Sequence, residues 1–247
     1  MSWVDELAAT LDPGLAGDAS APAPLPRRLY LFGATLVRHD GQLAADLLIE
    51  DGTIAAILTR EPGEEIAPGG VPDDALPVRL VGSHVLPAAL DMHVHFRDPL
   101  PSNPAEDLAS GSRAAAAGGV VGFAEMPNTE PMATTPERWQ AKIDLAAQKS
   151  VVDYAFFPAV SAHPEERGRL LDFDPTWIPA FKLFMGGTTR ADALDETALH
   201  DGFAAAAKLG VPAMVHAEDD PRIAARLEAF RDVLDTDPAV HAKIRDA

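Results

Sequence analysis

Beyond residue 86 the chain alternates between two textures. Short apolar runs, LDMHVHF, VVGFAEM, VVDYAFFPAV, IPAFKLFM and VPAMVHA, are separated by stretches of helical character. Those stretches are NPAEDLASGSRAAAA, TPERWQAKIDLAAQKS, HPEERGRLL, DETALHDGFAAAAKLG and DPRIAARLEAFRDVL. Alternating strand and helix predicts a parallel sheet with helical crossovers. The runs are apolar nearly throughout, as expected of strands covered on both faces. Three helix starts are marked: Asn103 with Pro104 and Glu106, Thr135-Pro136, and Asp220-Pro221. Each sets a capping side chain before a first-turn proline. Gly118 and Gly210 stand where helices should stop. About five βα units result, fewer than the eight of a closed α/β barrel. Periodicity leaves both an open sheet and a barrel that stops early.

The earlier chain reads differently. Residues 27–86 hold LYLFGATLV, DLLIEDGTIAAIL and most of VRLVGSHVLPAAL, short runs divided by HDG and EDG turns. This is the pattern of a small β-sandwich-like subdomain. EPGEEIAPGGVPDDALP, between two of them, reads as loop. Residues 1–26, with DPGLAGDASAPAPLP, form a Pro/Ala/Gly tail and linker with too little apolar content for a core. The expected organisation is therefore a tail (1–26), a β-subdomain (27–86) and a βα region (87–247).

Composition narrows the function. The net charge is −18, which argues against nucleic acid or an anionic membrane as partner, because both need clustered Lys and Arg. There is no cysteine, so thiol nucleophiles and thiolate metal sites are excluded. Any metal must be held by His, carboxylates or a modified Lys. The acidic start MSWVDEL lacks the charge of a signal peptide, and no apolar run is long enough to span a bilayer. A cytoplasmic protein is expected.

The chemistry-bearing residues lie inside the apolar runs. In a strand, alternate residues share a face. Asp91, His93, His95 and Arg97 are then expected on one side of one strand, where two imidazoles can converge on a metal. Lys182 sits late in IPAFKLFM, where an unpaired ammonium is costly to bury. Desolvation lowers its pKa and makes it a nucleophilic amine, able to add carbon dioxide and become an anionic oxygen ligand. His216 ends VPAMVHA. All four metal-type donors fall at the C-terminal ends of parallel strands, the end where α/β barrels gather catalytic groups.

These residues carry a resemblance. DLLIEDGTIAAI, VLPAALDMHVHFRDP, SGSRAAAAGGVVGFAEMPNTEP, FKLFMGGTT and VHAEDD, in this order, resemble the cyclic amidohydrolases of the amidohydrolase superfamily, most closely the dihydroorotases. The resemblance implies a TIM-type (β/α)8 barrel of the metal-dependent hydrolase kind, incomplete here, beside an N-terminal β-subdomain. It implies two zinc ions held by His93, His95, carboxylated Lys182 and His216. Arg97 and Asn128 would hold the carboxylate of a small cyclic amide. The implied reaction interconverts N-carbamoyl-aspartate and dihydroorotate in pyrimidine biosynthesis. A homodimer, or a complex with a transcarbamoylase, would be in keeping with it.

The pattern departs from the family in places. A further metal histidine and a general-base aspartate would follow on later strands, and the chain stops at HAKIRDA. It is therefore expected to be inactive by itself, and to aggregate or unfold without cooperativity. Asp235, Asp237 and His241 read as surface, and His39, His84, His163 and His200 are not sited at strand ends facing the others. PAALD, Leu100 and Arg190 also depart from the family pattern, and the last two lie near the substrate loops. Two alternatives stand beside dihydroorotase. One is an allantoinase or dihydropyrimidinase, for whose substrates Arg97 would have no use. The other is a non-catalytic scaffold subunit.

Overall fold

The computed structural model describes residues 26–100, 106–187, 193–234 and 237–245. It divides into two compact units between Pro87 and Ala88.

In the first unit, β1 (Arg28–Phe32), β2 (Thr35–Arg38), β3 (Gly41–Glu50), β4 (Thr53–Thr59), β5 (Leu76–Arg79) and β6 (His84–Val85) form one sheet in the order β5-β1-β3-β2-β6, with β4 also on β3. The long β3 is shared. Its first half pairs with β2, and its second half with β1 and β4. Asp51 (φ 48°) and Gly52 (φ 78°) turn β3 into β4, the two positive φ values of a tight hairpin. Leu76 and Pro77 fall in the stretch expected to be loop. They belong to β5, and the proline is tolerated because β5 lies at the edge of the sheet.

The core of this unit is pinned by one carboxylate. Asp46 is fully buried and accepts hydrogen bonds from Tyr30 Oη (3.1 Å), Gly33 N (3.1 Å) and Ala67 N (2.7 Å). It also pairs with Arg60 Nε at 3.0 Å. Burial, then the hydrogen bond to Asp46, pushes the Tyr30 hydroxyl up to about 12.

The second unit contains β7 (Ala89–Val94), α1 (Leu108–Ala117), β8 (Val120–Glu125), α2 (Pro136–Lys149), β9 (Asp153–Phe156), the short α3 (Pro164–Arg167), β10 (Phe181–Phe184), α4 (Glu196–Leu209), β11 (Ala213–His216), α5 (Asp220–Ala229) and α6 (Ala239–Arg245). All strand pairings are parallel: β7 with β8, β8 with β9, and β10 with β11. A bridge between Ala159 and Lys182, with Val160 N to Lys182 O at 2.9 Å, joins the β9 end to β10. The five strands therefore lie side by side in chain order. A doubly wound sheet reverses its order at a switch point, whereas a barrel does not. The order fits an incomplete barrel.

Helix ends follow local chemistry. Thr135 caps α2 by accepting from Arg138 N, and Gly210 closes α4 in the left-handed region at φ 72°. Two starts shift from their expected places. Asn103 lies outside the described residues, and α1 begins at Leu108 behind a reciprocal Asp107–Ser110 capping box. The α5 cap is Asp219, one residue before the expected Asp220. HPEERGRLL yields only four helical residues and a 3-10 turn, because His163 supplies no capping hydrogen bond and Gly168 interrupts it.

Strands β8 and β10 are largely buried, as their apolar texture predicts, but β7 is not. Its only strand partner among the described residues is β8, so Leu90 and Met92 stay more than half exposed. Helices α1 and α2 pack on the other side of this sheet through Phe96, Leu108, Phe123, Ala146 and Phe156. Gly111 lets α1 approach closely. A Cβ there would meet the Phe96 ring at 2.4 Å. Gly111→Ala is expected to cost about 1–3 kcal/mol, read by thermal unfolding, since the buried Phe96 ring or the helix has to shift to admit the methyl group. An unchanged melting temperature would show that the contact is slack.

Candidate functional site

The first strand is irregular where it matters. The register of β7 on β8 shifts between Asp91 and Val94. Within that shift the His93 N–H is taken by its neighbour's side chain, Asp91 Oδ1, at 3.1 Å. Such irregularities re-aim side chains. The His93 and His95 rings come to 5.2 Å between centroids. Phe96 is buried edge-on against Phe123 at 4.8 Å, on the helix side of the sheet. The pleat then turns His95 to the opposite side.

His95 is held neutral. Partial desolvation, then the charges of His93, Arg97, Lys182 and Lys142, lowers its pKa to about 4. A neutral imidazole is the form that ligates a metal. Lys182, 4% exposed, has its own pKa lowered by burial. Its Nζ lies 5.5 Å from the Phe184 ring centroid, and no carboxylate among the described residues pairs with it. His95 and Lys182 thus feel each other across the strand series.

His216 stands on the strand next to Lys182, opposite Phe184 in register. Its ring is 6.4 Å from that of Phe184, and its Nε2 is 3.2 Å from Glu218 Oε2. Arg245 holds the other Glu218 oxygen at 2.6 Å. Burial works against it, but hydrogen bonds from His216 and Arg245 keep the Glu218 carboxyl below its usual range. Among the described residues no three His, Asp or Glu side chains gather into a metal cage. The paired donors are His93 and His95, with Lys182 in electrostatic reach and His216 held on Glu218.

Arg97 does not continue the strand alternation. Its φ is +59°, and the register already shifts between Asp91 and Val94, so Asp91, His93, His95 and Arg97 do not share a face by simple alternation. The Arg97 N–H donates to Glu125 Oε1 at 2.6 Å, and its Nε is buried without a hydrogen-bond partner. Asp98 follows, accepting from Lys149 Nζ (2.6 Å) and from the Leu108 N–H (3.1 Å) at the start of α1. Asn128 is buried in the loop after β8. That loop meets the Arg97 loop through Glu130 N to Pro99 O at 2.8 Å.

Several of these groups escape a reading of the sequence. Glu125 ends an apolar strand, the same signal that marks Lys182. Lys142 lies on the apolar stripe of α2 with Trp139, Ile143 and Ala146. Of the residues set aside as surface, His241 is exposed on α6 and Asp237 caps the turn before it, Oδ1 to Ala239 N at 2.9 Å. Asp235 and Arg190 lie outside the described residues. Among the described residues no helix is long and apolar enough to cross a membrane.

No family model matches the chain. It is 36% identical over 194 residues to an allantoinase of Rubrobacter xylanophilus, covering 77% of this chain and 40% of that protein. It is 33% identical over 193 residues to a dihydroorotase of Methanosarcina acetivorans, covering 78% of this chain and 39% of that one. Among solved structures, an L-hydantoinase (dihydropyrimidinase) from Arthrobacter aurescens superposes with a TM-score of 0.74 at 26% identity, over 88% of this chain and 46% of that chain. The chain thus spans about 40% of the length of the curated relatives it matches.

Proposed function

We propose that the chain, a member of the cyclic amidohydrolase branch of the amidohydrolase superfamily, carries the metal- and carboxylate-binding part of an enzyme that opens and closes a cyclic amide. The observation that carries this reading is the placement of a buried, unpartnered Arg97 Nε two residues after a pair of imidazoles whose rings lie 5.2 Å apart. His93 and His95 would hold one metal ion. Lys182, as a carbamate, and His216 would extend the site to a second, with zinc the expected element. Lys182 suits carbamate formation because it is desolvated and unpaired with any acid among the described residues. Metal ions bound there would turn water into hydroxide and polarise the scissile carbonyl.

The remaining work falls to the chain's own side chains. Arg97 would take a substrate carboxylate, its planar fork of donors matching two oxygens. Asn128, buried in the adjoining loop, would add a second polar contact. The sequential parallel strands support completion of this arrangement as a (β/α)8 barrel.

A carboxylate-binding arginine favours N-carbamoyl-aspartate and dihydroorotate as the substrate pair. The likeness to allantoinases supports a second reading, since allantoin has no carboxylate to offer. Calorimetric titration separates them. Arg97→Met is expected to weaken N-carbamoyl-aspartate binding by about 10- to 100-fold, the value of a hydrogen-bonded charge, with zinc content unchanged. Equal affinity in both forms, with tighter binding of allantoin, would replace the first reading by the second.

A further inference from the structure

We propose that the buried Glu125–Lys142 ion pair is a positioning device, which holds Arg97 in its left-handed backbone conformation and so sets the direction of its guanidinium. The inference rests on the reading of Arg97 as the carboxylate-binding residue. Arg97 is one of only two non-glycine residues at positive φ among the described residues. A non-glycine residue persists in that sparsely allowed region only where its surroundings hold it there. Its neighbours on both sides are fixed, Phe96 in the helix-side core and Asp98 by Lys149 and the start of α1. What holds Arg97 itself is its N–H on Glu125 Oε1 at 2.6 Å.

Glu125 is fully buried, and its other oxygen lies 2.9 Å from Lys142 Nζ. Lys142 comes from α2, is 3% exposed, and also reaches Met126 O (3.4 Å) and the Phe156 ring (4.6 Å to its centroid). Apolar side chains of the same volume would join α2 to the sheet at least as well as a desolvated ion pair does. They would not accept the Arg97 N–H. Burial pushes the Glu125 carboxyl up and the Lys142 ammonium down, and the 2.9 Å contact between them opposes both shifts; a carboxylate kept charged by Lys142 would strengthen that one hydrogen bond.

Two double variants isolate the hydrogen bond. Glu125→Gln with Lys142→Met keeps a carbonyl acceptor for Arg97, whereas Glu125→Met with Lys142→Met removes it. Hydrogen exchange of the Arg97 amide is followed by NMR with the Leu108 amide as internal reference, and N-carbamoyl-aspartate is titrated into each zinc-loaded form. In the Met/Met variant the Arg97 amide is expected to exchange about 100-fold faster than in the Gln/Met variant. Affinity for the titrant should fall by about tenfold. Equal exchange in the two variants overturns the proposal. So does an Arg97 amide that exchanges in the wild-type chain as fast as an exposed one, whichever variants fold. A difference in exchange with no titrant bound by any form supports the positioning role and overturns the carboxylate reading instead.

Discussion

Replacing His93 and His95 together with alanine is expected to lower the zinc affinity of the chain by about 100-fold or more. Loss of a group that merely orients a ligand costs about 10- to 100-fold, and here both directly facing imidazoles go. The pair stands 5.2 Å apart and His95 is already neutral, so no proton has to leave that ring before a metal enters. Competition against a chromophoric chelator measures the effect. Lys182→Met provides the contrast. It removes a desolvated ammonium that no carboxylate among the described residues balances, and it is expected to stabilise the metal-free chain by about 1–2 kcal/mol while zinc uptake falls. Unchanged zinc affinity in the double alanine variant would end the case for a metal centre at this strand.

The largest effect on stability is expected in the other unit. Asp46→Ala leaves Arg60, whose side chain is 8% exposed, as an uncompensated buried charge. It also strips acceptors from Tyr30 Oη, Gly33 N and Ala67 N. Removing one partner of a buried pair costs about 3–5 kcal/mol, much of what holds a small domain together. Urea unfolding of the first unit, followed through Tyr30, reads it. Pairing Asp46→Ala with Arg60→Met should recover part of the loss, because no buried charge is then stranded. If the single variant unfolds at the wild-type urea concentration, Asp46 is not the anchor its hydrogen bonds suggest.

Strands carrying His93, Lys182 and His216 are legible in the sequence because each is an apolar run interrupted by discordant polar residues, Asp91, His93 and His95 in the first and a single one in each of the others. The helices between them were marked by caps and glycines such as Thr135 and Gly210, which act locally. What stayed hidden depends on contacts between elements. Nothing within DMHVHFRDP reveals that Arg97 leaves the strand conformation, since its partner Glu125 lies 28 residues away. Lys142 looks like an ordinary surface lysine until α2 is laid on the sheet. The exposure of β7 was invisible for a related reason: an apolar run states what a strand would bury, not whether a neighbour is present to bury it. Strand-end position brings His93, His95, Lys182 and His216 together as metal-type donors, and the family resemblance adds two zinc ions and a carbamate on Lys182.

The chain-order pairing of the βα units bears on how the protein is made. Each strand from β8 onward aligns with the one synthesised just before it, roughly 30 residues earlier. A template is therefore already present when each new unit leaves the ribosome, and vectorial growth can proceed without waiting for distant sequence. The imidazole pair emerges first, on a strand with one side still open. Lys182 and His216 follow on β10 and β11, in the order in which they are translated.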